Sequence, residues 1–180
     1  MRVNKNKNQL LMLSLAVGFF IGILYENMVS KTGVDSMDLF RKSYLEEYLQ
    51  MKVIAKEYLW YVVKARLIIL AFFCILGCVK WKKIFAIFSV GIIGICFGML
   101  ASSAVLQIGV KGIFLCFAGL FPQGIFYGLV YGMLFAYWYG YPQRSWNRTK
   151  TVFVVFMFLV GILMETYVNP IIVKGIIRMI

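Results

Sequence analysis

The sequence predicts an all-α, polytopic membrane protein of about five transmembrane helices plus one extracytoplasmic amphipathic helix. Three observations carry that expectation. Of 180 residues, 62% are hydrophobic and 14% charged, with a mean hydropathy of +0.85, whereas soluble domains average about 45–50% apolar and about 25% charged residues. A chain this short buries too small a fraction of its surface to hide so much apolar area from water, so its solvent is lipid. Second, the apolar residues gather into runs of membrane-spanning length. Third, the formal net charge of +12 is scattered over the links between those runs. It therefore reads as a topology signal, and no nucleic-acid partner is expected.

Residues 1–9 form a basic tail with Arg2, Lys5 and Lys7, and the apolar run Leu10 to Tyr25 follows. This is a signal-anchor pattern. The residues after it, Glu26-Asn27-Met28-Val29-Ser30, offer no A-x-A-like cleavage site, so the run is expected to stay as the first span. Residues 26–57 make a loop with six of the seven acids. In it Asp35 and Ser36 suit a helix cap, and Met37, Phe40, Tyr44, Tyr48, Met51, Ala55, Tyr58 and Val62 recur at three- or four-residue steps. One amphipathic helix is predicted, and with no proline or glycine between Val34 and Gly77 it is free to run unbroken into the second span. Its stripe, with Phe40, Tyr44, Tyr48 and Met51, either packs on the protein's own spans or docks an extracytoplasmic partner.

The second span is expected at about Tyr58 to Val79, the third at Ile84 to Leu106, the fourth at Ile113 to Trp138 and the fifth at Thr151 to about Tyr167. Pro122 interrupts the fourth, which is therefore either one broken span or a re-entrant piece followed by a true span. The tail, residues 171–180, is amphipathic and too short to cross. It is expected to lie in the outer interface, or to turn back at Pro170. The whole chain reads as one integral membrane domain. The amino-terminal tail, the link with Lys80, Lys82 and Lys83, and the link with Arg144, Arg148 and Lys150 hold nine bases and no acid. They are expected in the cytoplasm, with the carboxyl terminus outside and Trp and Tyr at the interfaces.

The chemistry is restricted. With no His and only seven acids, His-ligated metals, Ser-His dyads and His proton relays are excluded. Cys74, Cys78, Cys96 and Cys116 all sit in apolar runs and read as packing residues. Neither catalysis nor a cofactor nor a metal is expected. Inside the membrane, Gly124, Gly128, Gly132 and Ala136 repeat every four residues and leave one helix face without bulk. Weaker pairs are Gly18 with Gly22 and Gly94 with Gly98. Such faces serve close packing within the chain, homo-oligomer formation or contact with another membrane protein. Glu165 is the acid predicted within or at the edge of a span. It is either an interfacial carboxylate, solvated or bonded to Lys111 or Lys174, or a polar anchor or proton site between helices. Lys64 and Arg66 read as snorkelling residues.

The order of these features, together with Gly119-Leu120-Phe121-Pro122-Gln123-Gly124-Ile125-Phe126 opening the fourth span, resembles the stage II sporulation protein M family. That family shows a Pro-His-Gly-Ile-Phe-Glu motif in the corresponding helix, and a Glu followed a few residues later by Pro near the carboxyl terminus. Pro122, Gly124, Ile125 and Phe126 match, and Glu165, with Asn169 and Pro170 after it, looks like the terminal pair. Gln123 stands where the family has His, and Tyr127 where it has Glu. The resemblance implies a bacterial cell-membrane scaffold that holds peptidoglycan-degrading enzymes together with stage II sporulation proteins D and P during engulfment. The competing expectation, from the broken fourth span and Glu165, is a membrane subunit of a transporter or exporter.

Overall fold

The structure is a computed structural model and describes residues 3–31, 40–51, 55–77, 79, 81–141 and 145–179. Among the described residues the regular elements are all helical. They are α1 (Val3–Lys31), α2 (Lys42–Gln50), α3 (Ala55–Leu76), α4 (Lys82–Ile108), α5 (Val110–Leu120), α6 (Gln123–Gly140), α7 (Arg148–Leu163), a π-helical turn (Met164–Val168) and α8 (Asn169–Ile177). Among the described residues four stretches, Gln9–Lys31, Ala55–Leu76, Lys82–Ile108 and Arg148–Ile177, are long and apolar enough to cross a membrane. The pair α5 and α6, bent by 64° at Phe121–Pro122, makes a fifth if it counts as one span. The chain is thus compatible with a multi-pass helical membrane protein. Asp35, Ser36 and Met37, the expected start of the loop helix, lie outside the described residues, as do Arg2, Lys80 and Arg144.

Three boundaries differ from the sequence reading. First, α1 continues past Tyr25 to Lys31, so Glu26 sits on the helix, 2% exposed, and not in a solvated loop. Second, the loop helix does not run unbroken into the second span. Met51 is non-helical, and its freed carbonyl accepts a hydrogen bond from Lys174 Nζ at 2.7 Å. That lysine supplies the donor the broken helix no longer provides. Third, the chain does not turn at Pro170. The Asn169 N–H reaches back five residues to the Met164 carbonyl, and this wider π turn leads the helix into α8 with Pro170 in its first turn. A proline in the first turn of a new helix segment forfeits a hydrogen bond the segment lacks anyway.

The chain divides into two compact units, residues 1–50 with 84–116 and 180, and residues 51–83 with 117–179. In the first, α1 and α4 run parallel and nearly touch. A Cβ on Gly18 would collide with the Gly91 carbonyl, one on Gly22 with that of Ile95, one on Gly94 with that of Leu15 and one on Gly98 with that of Phe19. Hydrogen bonds close both ends of this seam: Ser14 Oγ donates to the Ile87 carbonyl at 2.8 Å, and Asn27 Nδ2 to Ser102 Oγ at 3.1 Å. The residues α4 buries are all small: Ala86, Ser89, Gly94, Gly98, Ser102, Ser103 and Ala104. Backbones that approach this closely gain dispersion contacts that lipid-facing bulk would prevent. Gly109, at φ +74°, ends α4 in the left-handed region, where a side chain would be strained.

In the second unit α3 and α6 run parallel and α7 runs against both. Val62, Tyr127, Val130, Leu134, Val154, Phe158 and Ile162 form its core. At one end Phe73 packs against the rings of Tyr131, Phe135 and Trp138. Gly77 admits this packing, since a Cβ there would lie 2.8 Å from Trp138 Nε1.

Candidate functional site

The core of the second unit closes around a charge. Glu165, 8% exposed, lies in the π-helical turn. Arg66 on α3 grips it with two hydrogen bonds, Nε to Oε2 at 2.8 Å and Nη2 to Oε1 at 2.5 Å. Tyr127 on α6 donates its hydroxyl to the same Oε2 at 2.7 Å. The Arg66 guanidinium also stands over the Tyr127 ring, 5.0 Å from its centroid. Three helices therefore meet on one carboxylate. A bidentate guanidinium–carboxylate pair fixes both distance and orientation, because two parallel N–H bonds resist rotation. Gly161 makes room for the phenol: a Cβ on it would come within 2.9 Å of the Tyr127 ring.

The expected partners of Glu165, Lys111 and Lys174, are replaced by Arg66 and Tyr127; Lys174 is held on Met51. Arg66 is thus not a snorkelling residue, and its side chain keeps only 35% exposure. Lys64 stands over the Trp60 ring at 5.3 Å. Of the readings of Glu165, the polar anchor between helices is the one its contacts fit. Sequence reasoning missed Arg66 because it weighed each intramembrane charge alone. The available signal was that the spans holding Arg66 and Glu165 run in opposite directions, with both groups toward the same end.

The other motif residues are in part buried and in part exposed. Gln123 is 6% exposed; its Nε2 donates to the Gly119 carbonyl, and its Oε1 has no partner among the described residues. Tyr131 Oη and Asn169 Oδ1 are likewise buried without a partner there. Gln123, Tyr127 and Tyr131 follow each other at four-residue steps on α6, so they share one face. Pro122 is half-buried at the cis Phe121–Pro122 bond, Phe126 is half-buried beside Gly161, and Pro170 is buried. Gly124, Gly128 and Gly132 are exposed, and a Cβ on Gly128 or Gly132 would meet nothing within 4 Å. Among the described residues, the most regular glycine pattern in the sequence therefore carries no close packing at Gly128 or Gly132, whereas the two weaker pairs do.

No family model, curated protein or solved structure matches this chain.

The loop helix is the other sequence-derived site. α2 buries none of its residues. Tyr44 and Met51 are 45% and 55% exposed, but Phe40, expected on the same docking stripe, is 8% exposed and so is withdrawn from it. Tyr48 is half-buried, and burial, with Tyr44 beside it, pushes its phenol above the usual range. It stays neutral at physiological pH.

Proposed function

We propose that the protein is a non-enzymatic scaffold in a bacterial cell membrane, of the kind the stage II sporulation protein M resemblance implies. On this reading it recruits or positions peptidoglycan-remodelling enzymes, stage II sporulation protein D- and P-like, through the outward loop helix. One observation carries the reading: α2 buries no side chain and leaves Tyr44 open, and an exposed aromatic side chain suits a protein partner. Helix directions support alternate crossing. Trp138 lies against Gly77, and the Lys82 ammonium lies 4.2 Å from the Tyr141 ring centroid. The basic link after α3 and the chain after α6 thus share one end of their unit, as alternate crossing requires. Full-length protein extracted in mild detergent is expected to co-purify with cell-wall hydrolases, and deletion of residues 42–50 to release them. Retention of every partner after the deletion sinks the docking role.

A second reading, a transporter subunit, rests on Glu165. Acids within spans mark ion pathways, and π turns recur at functional sites. Here the carboxylate is already matched by Arg66 and Tyr127, which favours a fixed joint over a proton carrier. Transport activity that is unaffected in Glu165→Gln removes the proton-coupling version of this alternative.

A further inference from the structure

At the end of the second unit opposite Lys174, three elements converge. Lys82, at the start of α4, places its ammonium over two phenol rings, 4.2 Å from the Tyr141 centroid and 5.7 Å from that of Tyr137. Tyr137 packs edge-on against Trp146 at 5.1 Å. Trp146 Nε1 in turn donates to Thr151 Oγ1 at 2.8 Å, which ties the end of α6 to the start of α7. Lys150 Nζ donates to the Ser145 carbonyl at 2.6 Å, and Arg148, two residues before it, and Lys83, next to Lys82, are exposed. No acid occurs from residue 58 to 164, so nothing on these elements offsets the four bases. Two phenol faces hold the Lys82 ammonium through their quadrupoles while giving its N–H groups no oxygen to bond. Bases also occupy the first turn of α7, where a helix start ordinarily favours acids.

We propose that this end of the unit binds the phosphodiester headgroup of an anionic phospholipid, with Lys82 as its central contact and Tyr137 and Tyr141 as the cradle. Charge complementarity selects the occupant. A zwitterionic headgroup carries its own cation, which four neighbouring bases repel, whereas an anionic one brings an uncompensated phosphate. The surrounding Trp and Tyr side chains belong at headgroup depth, where they meet both acyl chain and water. The site does not depend on the scaffold reading.

The test uses full-length protein in neutral detergent, titrated with phosphatidylglycerol or phosphatidylcholine and read by native mass spectrometry. Wild type is expected to retain phosphatidylglycerol preferentially. Lys82→Gln should lower its occupancy about fivefold, the loss expected for one base at a membrane surface. Tyr141→Leu, with an unchanged thermal denaturation midpoint, should weaken retention as well, while Tyr141→Phe, which keeps the ring, should hold it. Lys64→Gln removes a lysine that also stands over an aromatic ring, and it should behave as wild type. Equal retention of the two lipids, equal losses in Lys82→Gln and Lys64→Gln, or displacement of the lipid by excess inorganic phosphate would each overturn the proposal.

Discussion

Glu165 shows how one side chain organises its surroundings. A carboxylate in an apolar bundle is costly unless matched in charge and saturated in hydrogen bonds, and it accepts three here, two from Arg66 and one from Tyr127. Removing the charge leaves the guanidinium without its counterion. Glu165→Gln is therefore expected to destabilise the protein by about 3 kcal/mol, the low end for a buried pair because Arg66 keeps partial exposure. Thermal denaturation in detergent checks this, and replacing Arg66 and Glu165 together by leucine should cost less than the two single changes summed. Tyr127→Phe deletes a single bond to a charged acceptor and should cost about 1.5 kcal/mol. Half of this site was legible in the sequence. Glu165 stood out as a lone acid in an apolar run, but Arg66 and Tyr127 lie 99 and 38 positions away, and nothing local links them to it.

At the scale of elements, glycine spacing decides which faces are able to meet, and the partner decides which do. Both small-residue pairs in α1 and α4 are filled by the opposing backbone, whereas the longer stripe on α6 meets no described residue at Gly128 and Gly132. Regular spacing measures how smooth a face is, and smoothness alone brings no neighbour to it. Gly94→Leu is expected to force α1 and α4 apart and cost about 3 kcal/mol. Gly128→Leu should change stability by less than about 0.5 kcal/mol. Denaturation midpoints of the two variants, measured side by side, discriminate: equal losses would mean that the α6 stripe is also packed. The boundary differences have the same origin. Tertiary contacts set where helices stop, as where Lys174 takes the Met51 carbonyl, and no propensity in residues 51–58 announces it.

For the whole molecule, the helix directions within each unit make a topological prediction. α1 parallels α4, α3 parallels α6, and α7 opposes the latter two, which is the set of directions that alternate crossing produces. In a background lacking the native cysteines, Lys83→Cys and Thr149→Cys should react with an impermeant thiol reagent on the same side of the membrane, and Ser43→Cys on the other. Lys83→Cys and Thr149→Cys reacting from opposite sides would contradict the shared end marked by Lys82 and Tyr141.

Composition and hydropathy by themselves determined that the chain is helical and suited to lipid, because the free energy of burying apolar runs is summed over many residues and needs no knowledge of their neighbours. The approximate positions of the spans followed for the same reason. Only the tertiary structure decided that Arg66 meets Glu165, that the weaker glycine pairs are the ones packed, and that the helix passes through Pro170. Each of these depends on a contact between distant segments, whose energy resides in one geometry and leaves no periodic trace along the chain.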